Sequence, residues 1–226
     1  MSDSMKSQTS SPPFTLLNSL RITLAALSLL LAIPAGAADA PAKDTPKRPD
    51  VVYVPTPQAV VDKMLQMAAI KPGDVVYDLG CGDGRVVVTA AKRYGVKAAG
   101  FDIDPARIKE SLANVHTNKV EHLVSIQQKD IFTLDLREAT VVFLYLLPSL
   151  NVRLMPQLEK LKPGSRIVSH DFDMRGAKPL QVVTVTTDGD EGDEGDFESN
   201  EHILYKWVVP WQKEAPDSDK KAGNSK

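Results

Sequence analysis

The most constraining feature of this 226-residue chain is a glycine-rich turn set between an apolar run of strand length and a helical pattern. The run is Val75-Val76-Tyr77-Asp78-Leu79, the turn is Gly80-Cys81-Gly82-Asp83-Gly84, and apolar positions recur with helical spacing over residues 86–94. A buried strand that passes through so tight a turn into a helix is the first half of a parallel crossover unit. In open α/β sheets the backbone of such a turn is where a nucleotide-like ligand is approached.

The rest of the chain repeats the unit. Strand-length runs at 98–102, 123–127, 141–146 and 167–170 are interleaved with helical patterns at 105–115 and 150–161, as in a parallel sheet with crossover helices. The third crossover, 131–139, is too short for much helix. Beyond residue 173, two β-rich runs at 180–187 and 202–209 follow one another with no helix between them, which predicts an antiparallel hairpin closing one edge. The expected fold is α/β: a Rossmann-like three-layer sandwich around a seven-stranded, mostly parallel sheet with an antiparallel C-terminal hairpin. Upstream, Thr56-Pro57 reads as a helix N-cap followed by proline in the first turn, ahead of Val60, Val61, Met64, Leu65 and Ala68 at helical spacing. The hairpin connector, 188–196, is low-complexity and acidic. Its oxygens would suit calcium, but a solvated loop is the plainer reading.

The termini differ in kind from this domain. Lys6 and Arg21 precede an apolar run at 22–33 and then Ala35-Gly36-Ala37, a small-residue cleavage pattern, so residues 1–37 read as a secretory signal peptide. The run falls short of the about 20 residues that span a bilayer. Export to the periplasm, or tethering to the membrane through an uncleaved segment, is expected. Residues 38–50, with three prolines, read as a linker, 51–211 as one domain and 212–226 as a disordered polar tail. At 42% hydrophobic and 25% charged residues the chain can bury one sizeable core. A formal net charge of -2 supplies no global field to attract nucleic acid, and no nucleic-acid partner is expected. With Cys81 alone, neither an intramolecular disulfide nor a cysteine-rich metal site can form.

The residues around the turn narrow the ligand. Gly80, Gly82 and Gly84 give G-x-G-x-G rather than the dinucleotide G-x-G-x-x-G, because Arg85 stands where the third glycine would fall. Asp78 and Asp83 would repel a pyrophosphate, yet they suit a ligand that carries an ammonium and a sulfonium and no phosphate. That charge argument favours S-adenosylmethionine over NAD. Asp102 ends the second strand, where a carboxylate can accept from both ribose hydroxyls, while Asp104, before Pro105, reads as a helix N-cap. After the third strand, Asp130 could accept from the adenine amino group and the Ile131 amide could reach a ring nitrogen. Ile103 or Phe132 could cover a ring face.

Asp78 to Gly84, Asp102 and Asp130 resemble motifs I, II and III of class I S-adenosylmethionine-dependent methyltransferases. Within that class, Tyr53-Val54-Pro55-Thr56-Pro57 and Gly82-Asp83-Gly84-Arg85-Val86 resemble the mitochondrial lysine methyltransferases that modify the adenine nucleotide translocase and ATP synthase subunit c, and their bacterial relatives. The resemblance implies S-adenosylmethionine as cofactor, held by Tyr53, Thr56, Asp78, Gly80, Gly82, Gly84, Asp102, Ile103, Asp130 and Ile131. It also implies methyl transfer to a lysine amine of a protein. Methyl transfer needs alignment and exclusion of water, and requires neither a metal nor a covalent residue. Lysine, with a pKa of about 10.4, must first lose a proton, which an apolar pocket beside a sulfonium promotes. Candidates to line that pocket are Tyr145, Pro148, His170, Asp171 and, in the entry segment, Tyr53, although Tyr145 also reads as core and His170 as a strand-end cap. Arg85 reads as a salt-bridging residue and Cys81 as a small loop residue. Two other functions stay open: a small-molecule N- or O-methyltransferase, and a non-catalytic S-adenosylmethionine-binding envelope protein. The signal segment favours the latter, because the cofactor is made in the cytosol.

Overall fold

The structure, a computed structural model, describes Pro49, residues 51–187 and residues 201–214. The signal segment, most of the linker, the acidic connector and most of the tail lie outside the described residues. Five strands run parallel: β1 (Val75–Leu79), β2 (Lys97–Asp102), β3 (Val124–Gln128), β4 (Val141–Leu144) and β5 (Arg166–His170). A two-residue strand β6 (Ala177–Lys178) follows, then β7 (Gln181–Thr186) and β8 (Glu201–Val208), which form the expected antiparallel hairpin, and β9 (Gln212–Lys213). The main sheet has seven strands in the order β3-β2-β1-β4-β5-β8-β7. Helices α1 (Gln58–Ala68), α2 (Arg85–Tyr94), α3 (Pro105–Thr117) and α4 (Pro148–Leu158) cover it, and a 3-10 turn at Ile131–Thr133 fills the short third crossover. No helix among the described residues is long and apolar enough to cross a membrane.

The strands are apolar on both faces because both faces are covered. All four residues of β4 are buried, and their alternation divides the core. Val141 and Phe143 join Val60, Met64, Leu65 and Val87 on one side, while Val142 and Leu144 join Leu154, Leu158, Ile167 and Trp207 on the other. Trp207, fully buried, donates its indole N–H to the Ala177 carbonyl at 2.8 Å, so its polar atom is not left unpaired.

Three details differ from expectation. Thr56 does not cap α1: Pro57 holds the N-cap position with no side-chain bond, and the Thr56 hydroxyl instead meets His170 Nδ1 at 3.2 Å. A tertiary partner has outcompeted the local cap. The ordered domain also runs past residue 211, since Gln212 and Lys213 pair with Ala177 and Lys178, and the Glu214 amide donates to Gly176 at 3.0 Å. Finally, the β6–β9 ribbon is new, because two-residue strands carry no period to read.

A buried ion pair gathers the starting ends of the strands. Asp74, just before β1, receives two guanidinium contacts from Arg166 at the start of β5, the Thr140 hydroxyl at 2.7 Å and the Lys71 amide at 2.8 Å. Thr140 in turn accepts from the Val75 amide at 2.9 Å, and Arg166 Nε donates to the Ala68 carbonyl at 3.0 Å. Burial alone would raise the Asp74 pKa. The Arg166, Lys71 and Thr140 bonds together outweigh it and hold the carboxyl below the usual carboxylate range. Because the folded value is the lower one, the stabilisation is complete above the unfolded pKa of about 3.9 and drains away as pH falls through the folded value. Asp74→Asn is expected to cost about 3 kcal/mol in urea unfolding at neutral pH, the usual penalty for orphaning a buried partner. The variant should also show a shallower loss of stability in acid, and an unchanged urea midpoint would contradict this account.

Candidate active site

The parallel strands end along one rim, with Asp78 opposite Gly100, Leu79 opposite both Phe101 and Leu144, and Asp102 opposite Gln128. Strand order reverses between β1 and β4, so successive connections leave in opposite directions and open a crevice. A cavity of about 540 Å³ lies there, a size suited to a cofactor.

The glycine turn is its floor. Gly80, Gly82 and Gly84 take φ of 83°, 54° and 77°, the left-handed region open to glycine. Gly82 has a second reason: a Cβ there would lie 2.1 Å from the Tyr53 ring. The turn is pinned from β2 and α3. The Gly82 amide donates to Asp102 Oδ2 at 3.0 Å, the Gly80 and Cys81 amides donate to the Phe101 carbonyl at 2.8 and 3.0 Å, and the Ser111 hydroxyl donates to the Gly82 carbonyl at 2.6 Å. Arg85 forks onto Asp83 and donates to the Thr56 carbonyl at 2.7 Å, which fastens the N-terminal segment to α2. The salt-bridging reading of Arg85 therefore holds. Cys81 is buried, its Sγ 3.8 Å from the Ser111 hydroxyl, and burial pushes its thiol pKa up.

Tyr53, Thr56, Asp78, Gly80, Asp102, Ile103, Asp130, Ile131 and Tyr145 all line the cavity, whereas Gly82 and Gly84 shape the turn without lining it. Asp102 uses one acceptor site on each oxygen, Oδ2 for Gly82 and Oδ1 for the Asp104 amide at 2.9 Å. An ionised carboxylate offers about four such sites, so two remain for ribose hydroxyls. Asp104 caps α3 as expected, accepting from the Ala106 amide at 2.8 Å. Asp130 Oδ1 accepts from the Phe132 amide at 3.0 Å, so the residue assigned to adenine also shapes the 3-10 turn.

Three candidates fall outside the cavity. Pro148 opens α4 and does not reach the lining. His170 is fully buried behind Tyr145, ring centroids 4.0 Å apart, and burial pushes its pKa well below the ordinary histidine value. Asp171, beside it, does not line the cavity either. The cavity also takes residues that sequence reasoning missed. Pro49, Val51 and Val52 line it, so its wall begins inside the stretch read as linker. Arg107 lies over the Tyr53 ring at 4.7 Å, and Phe172 joins the wall beyond β5. Asn151, buried on α4, donates to the Phe172 and Asp173 carbonyls at 3.2 and 3.1 Å and so holds that loop. An asparagine between Leu150 and Leu154 was the available signal.

The lining fits a cationic amino acid joined to a nucleoside. Asp78, Asp102 and Asp130 face walls of Ile103, Ile131, Phe132 and Leu144. The arginines that could have clamped a phosphate are already paired, Arg85 with Asp83 and Arg107 with Glu110. Burial, and then the charges of Asp102 and Asp83, push the Asp78 pKa up to about 8.

Comparison with known proteins agrees with this geometry. Residues 78–181 match the family model described as the ANTKMT methyltransferase domain. A protein-lysine N-methyltransferase of Saccharolobus islandicus (strain REY15A) is 47% identical over 163 residues, covering 71% of this chain and 95% of that protein. The adenine nucleotide translocase lysine N-methyltransferase of Mus musculus is 33% identical over 147 residues, 63% of this chain and 62% of its own length. Among solved structures, an RNA methyltransferase from Salinibacter ruber in complex with S-adenosyl-L-homocysteine is similar at 43% identity and a TM-score of 0.61, covering 73% of this chain and 97% of that one.

Asp78 generates a test. An acid with a pKa of about 8 is largely protonated at neutrality, and seating a cationic ligand beside it favours the ionised form. Affinity for S-adenosylmethionine is therefore expected to rise between about pH 6 and 8, with proton release on binding. Calorimetry in two buffers of different ionisation enthalpy measures that release, which Asp78→Asn should abolish. Flat affinity with no proton release would remove Asp78 from this role.

Proposed function

The chain belongs to the ANTKMT methyltransferase family of class I S-adenosylmethionine-dependent methyltransferases, and we propose that it transfers methyl groups to lysine amines of a protein substrate. The observation that carries this reading is the wall beside the glycine turn. A Cβ at Gly80 would stand 3.1 Å from Leu146 Cδ2, so the stretch Tyr145-Leu146-Leu147 adjoins the floor of the cavity, with Leu150 and Phe172 completing an apolar surface. Bound S-adenosylmethionine supplies a methyl group already activated for in-line displacement. The chain's own work is to hold the acceptor in line, exclude water and keep the amine neutral. An apolar wall lowers the pKa of an incoming lysine by desolvation. The stretch after β4 also lacks the Asn-Pro-Pro-Tyr signature of enzymes that methylate amide or base nitrogens.

The likeness to an RNA methyltransferase supports RNA as a second reading, which the net charge of -2 does not favour. The segment 1–37 supports an exported or membrane-tethered protein, for which membrane proteins would be the accessible substrates. Mass spectrometry of the mature N-terminus tests that placement: an N-terminus at Ala38 indicates cleavage, and an intact Met1 in a membrane fraction indicates a tether.

Incubation with labelled cofactor and separated membrane-protein, RNA and small-molecule fractions should place label in protein lysines. Tyr145→Ala should lower turnover roughly tenfold or more while changing cofactor affinity little. Label confined to RNA or to small molecules would transfer the function to those acceptors. Cofactor binding without any incorporation would favour the non-catalytic binding protein.

A further inference from the structure

Beyond the cavity, the described residues bring two imidazoles and a carboxylate to one point where β5 ends against β8. His170 Nε2 lies 2.9 Å from His202 Nδ1 and 3.2 Å from Asp171 Oδ2, and His202 Nδ1 lies 3.6 Å from the same oxygen. Three atoms each about 2.1 Å from one ion stand about 3.0 Å apart in octahedral geometry and about 3.4 Å apart in tetrahedral geometry. Hydrogen bonding alone accounts for the cluster less well, since the 3.6 Å separation of Asp171 and His202 exceeds a hydrogen bond.

The outer atoms of His170 and Asp171 are already held, which aims their inner ones. The Thr56 hydroxyl meets His170 Nδ1 at 3.2 Å, and the Ile203 amide donates to Asp171 Oδ1 at 2.9 Å. Such partners fix the orientation of metal ligands. Asp171 adopts φ of 56°, uncommon for a non-glycine residue, and its own amide donates to the Ile203 carbonyl at 2.7 Å, so the strained turn is held in place. The His202 and Asp171 side chains are 14% and 28% exposed, which leaves a route from solvent.

We propose that His170, Asp171 and His202 bind one divalent transition-metal ion, zinc by the chemistry of the ligands, which ties β5 to β8 behind the acceptor wall. Two imidazoles and one carboxylate suit such an ion, and the remaining positions fall to water. The site bears on the wall through Tyr145, whose ring packs at a tilt on His170 and whose hydroxyl lies 3.5 Å from Asp171 Oδ2. This inference does not depend on which acceptor is methylated.

The test uses the untagged full chain, stripped with a chelator and titrated with cobalt(II) and then with zinc. One equivalent of cobalt should give visible d–d absorption that zinc removes, and zinc should raise the melting temperature. His202→Ala should abolish the spectrum, whereas Thr56→Val, which loses only an orienting contact, should keep it and weaken zinc binding by about tenfold to a hundredfold. A far-ultraviolet circular dichroism spectrum matching that of the unaltered chain reports that each variant is folded. Absence of a cobalt spectrum in the unaltered chain, or one that persists in His202→Ala, would overturn the proposal.

Discussion

The hydrogen bond from the Gly82 amide to Asp102 joins the first crossover turn to the end of the second strand, and the geometry of the cavity depends on it. A turn built from three left-handed glycines has little conformational preference of its own, because freedom at glycine comes with an entropic cost on ordering. The neighbouring strand supplies the missing rigidity: Asp102 holds the middle of the turn, the Phe101 carbonyl holds its beginning, and Ser111 holds the Gly82 carbonyl from α3. Tyr53 can then pack against Gly82, and Arg85 can join Asp83 of the turn to Thr56 of the N-terminal segment. One carboxylate therefore both shapes the floor and offers its remaining lone pairs to a ligand.

The same arrangement sets the charge preference of the site. Asp78, Asp83 and Asp102 lie close enough that the latter two raise the pKa of the first. Repulsion of that kind is unfavourable in the unliganded protein and is relieved by a cation. A phosphate would worsen it. The electrostatics thus select an amino acid and sulfonium ligand before any hydrogen bond is counted, and the family to which the chain belongs uses that ligand.

Much of this was legible in the sequence because it rests on local signals. Doubly covered parallel strands are apolar throughout, so β1, β4 and β5 stood out as runs, and acids at successive strand ends marked the ligand rim. What failed to show was tertiary. Thr56 carries a cap pattern but spends its hydroxyl on His170, a partner far away in the chain. His170 follows a strand at a plausible distance from the chemistry, yet the ring of Tyr145 stands in front of it. Pro148 was read from its neighbours in a segment whose backbone turns into a helix at that residue. Pro49 looked like linker because the prolines of that stretch carry no period, yet it begins the wall of the cavity.

The Asp74–Arg166 pair sits at the starting ends of β1 and β5, with Thr140 just before β4, whereas the cavity occupies the finishing ends of the same strands. Cohesion and chemistry are thereby assigned to opposite rims of one sheet, a strand's length apart. Strand alignment is secured from below, so the loops above can be rewritten without loosening it. On the proposed reading of the apolar wall, a lineage built on this frame could exchange one methyl acceptor for another by changing Tyr145, Leu147 or Phe172, and the fold would not have to be found again each time.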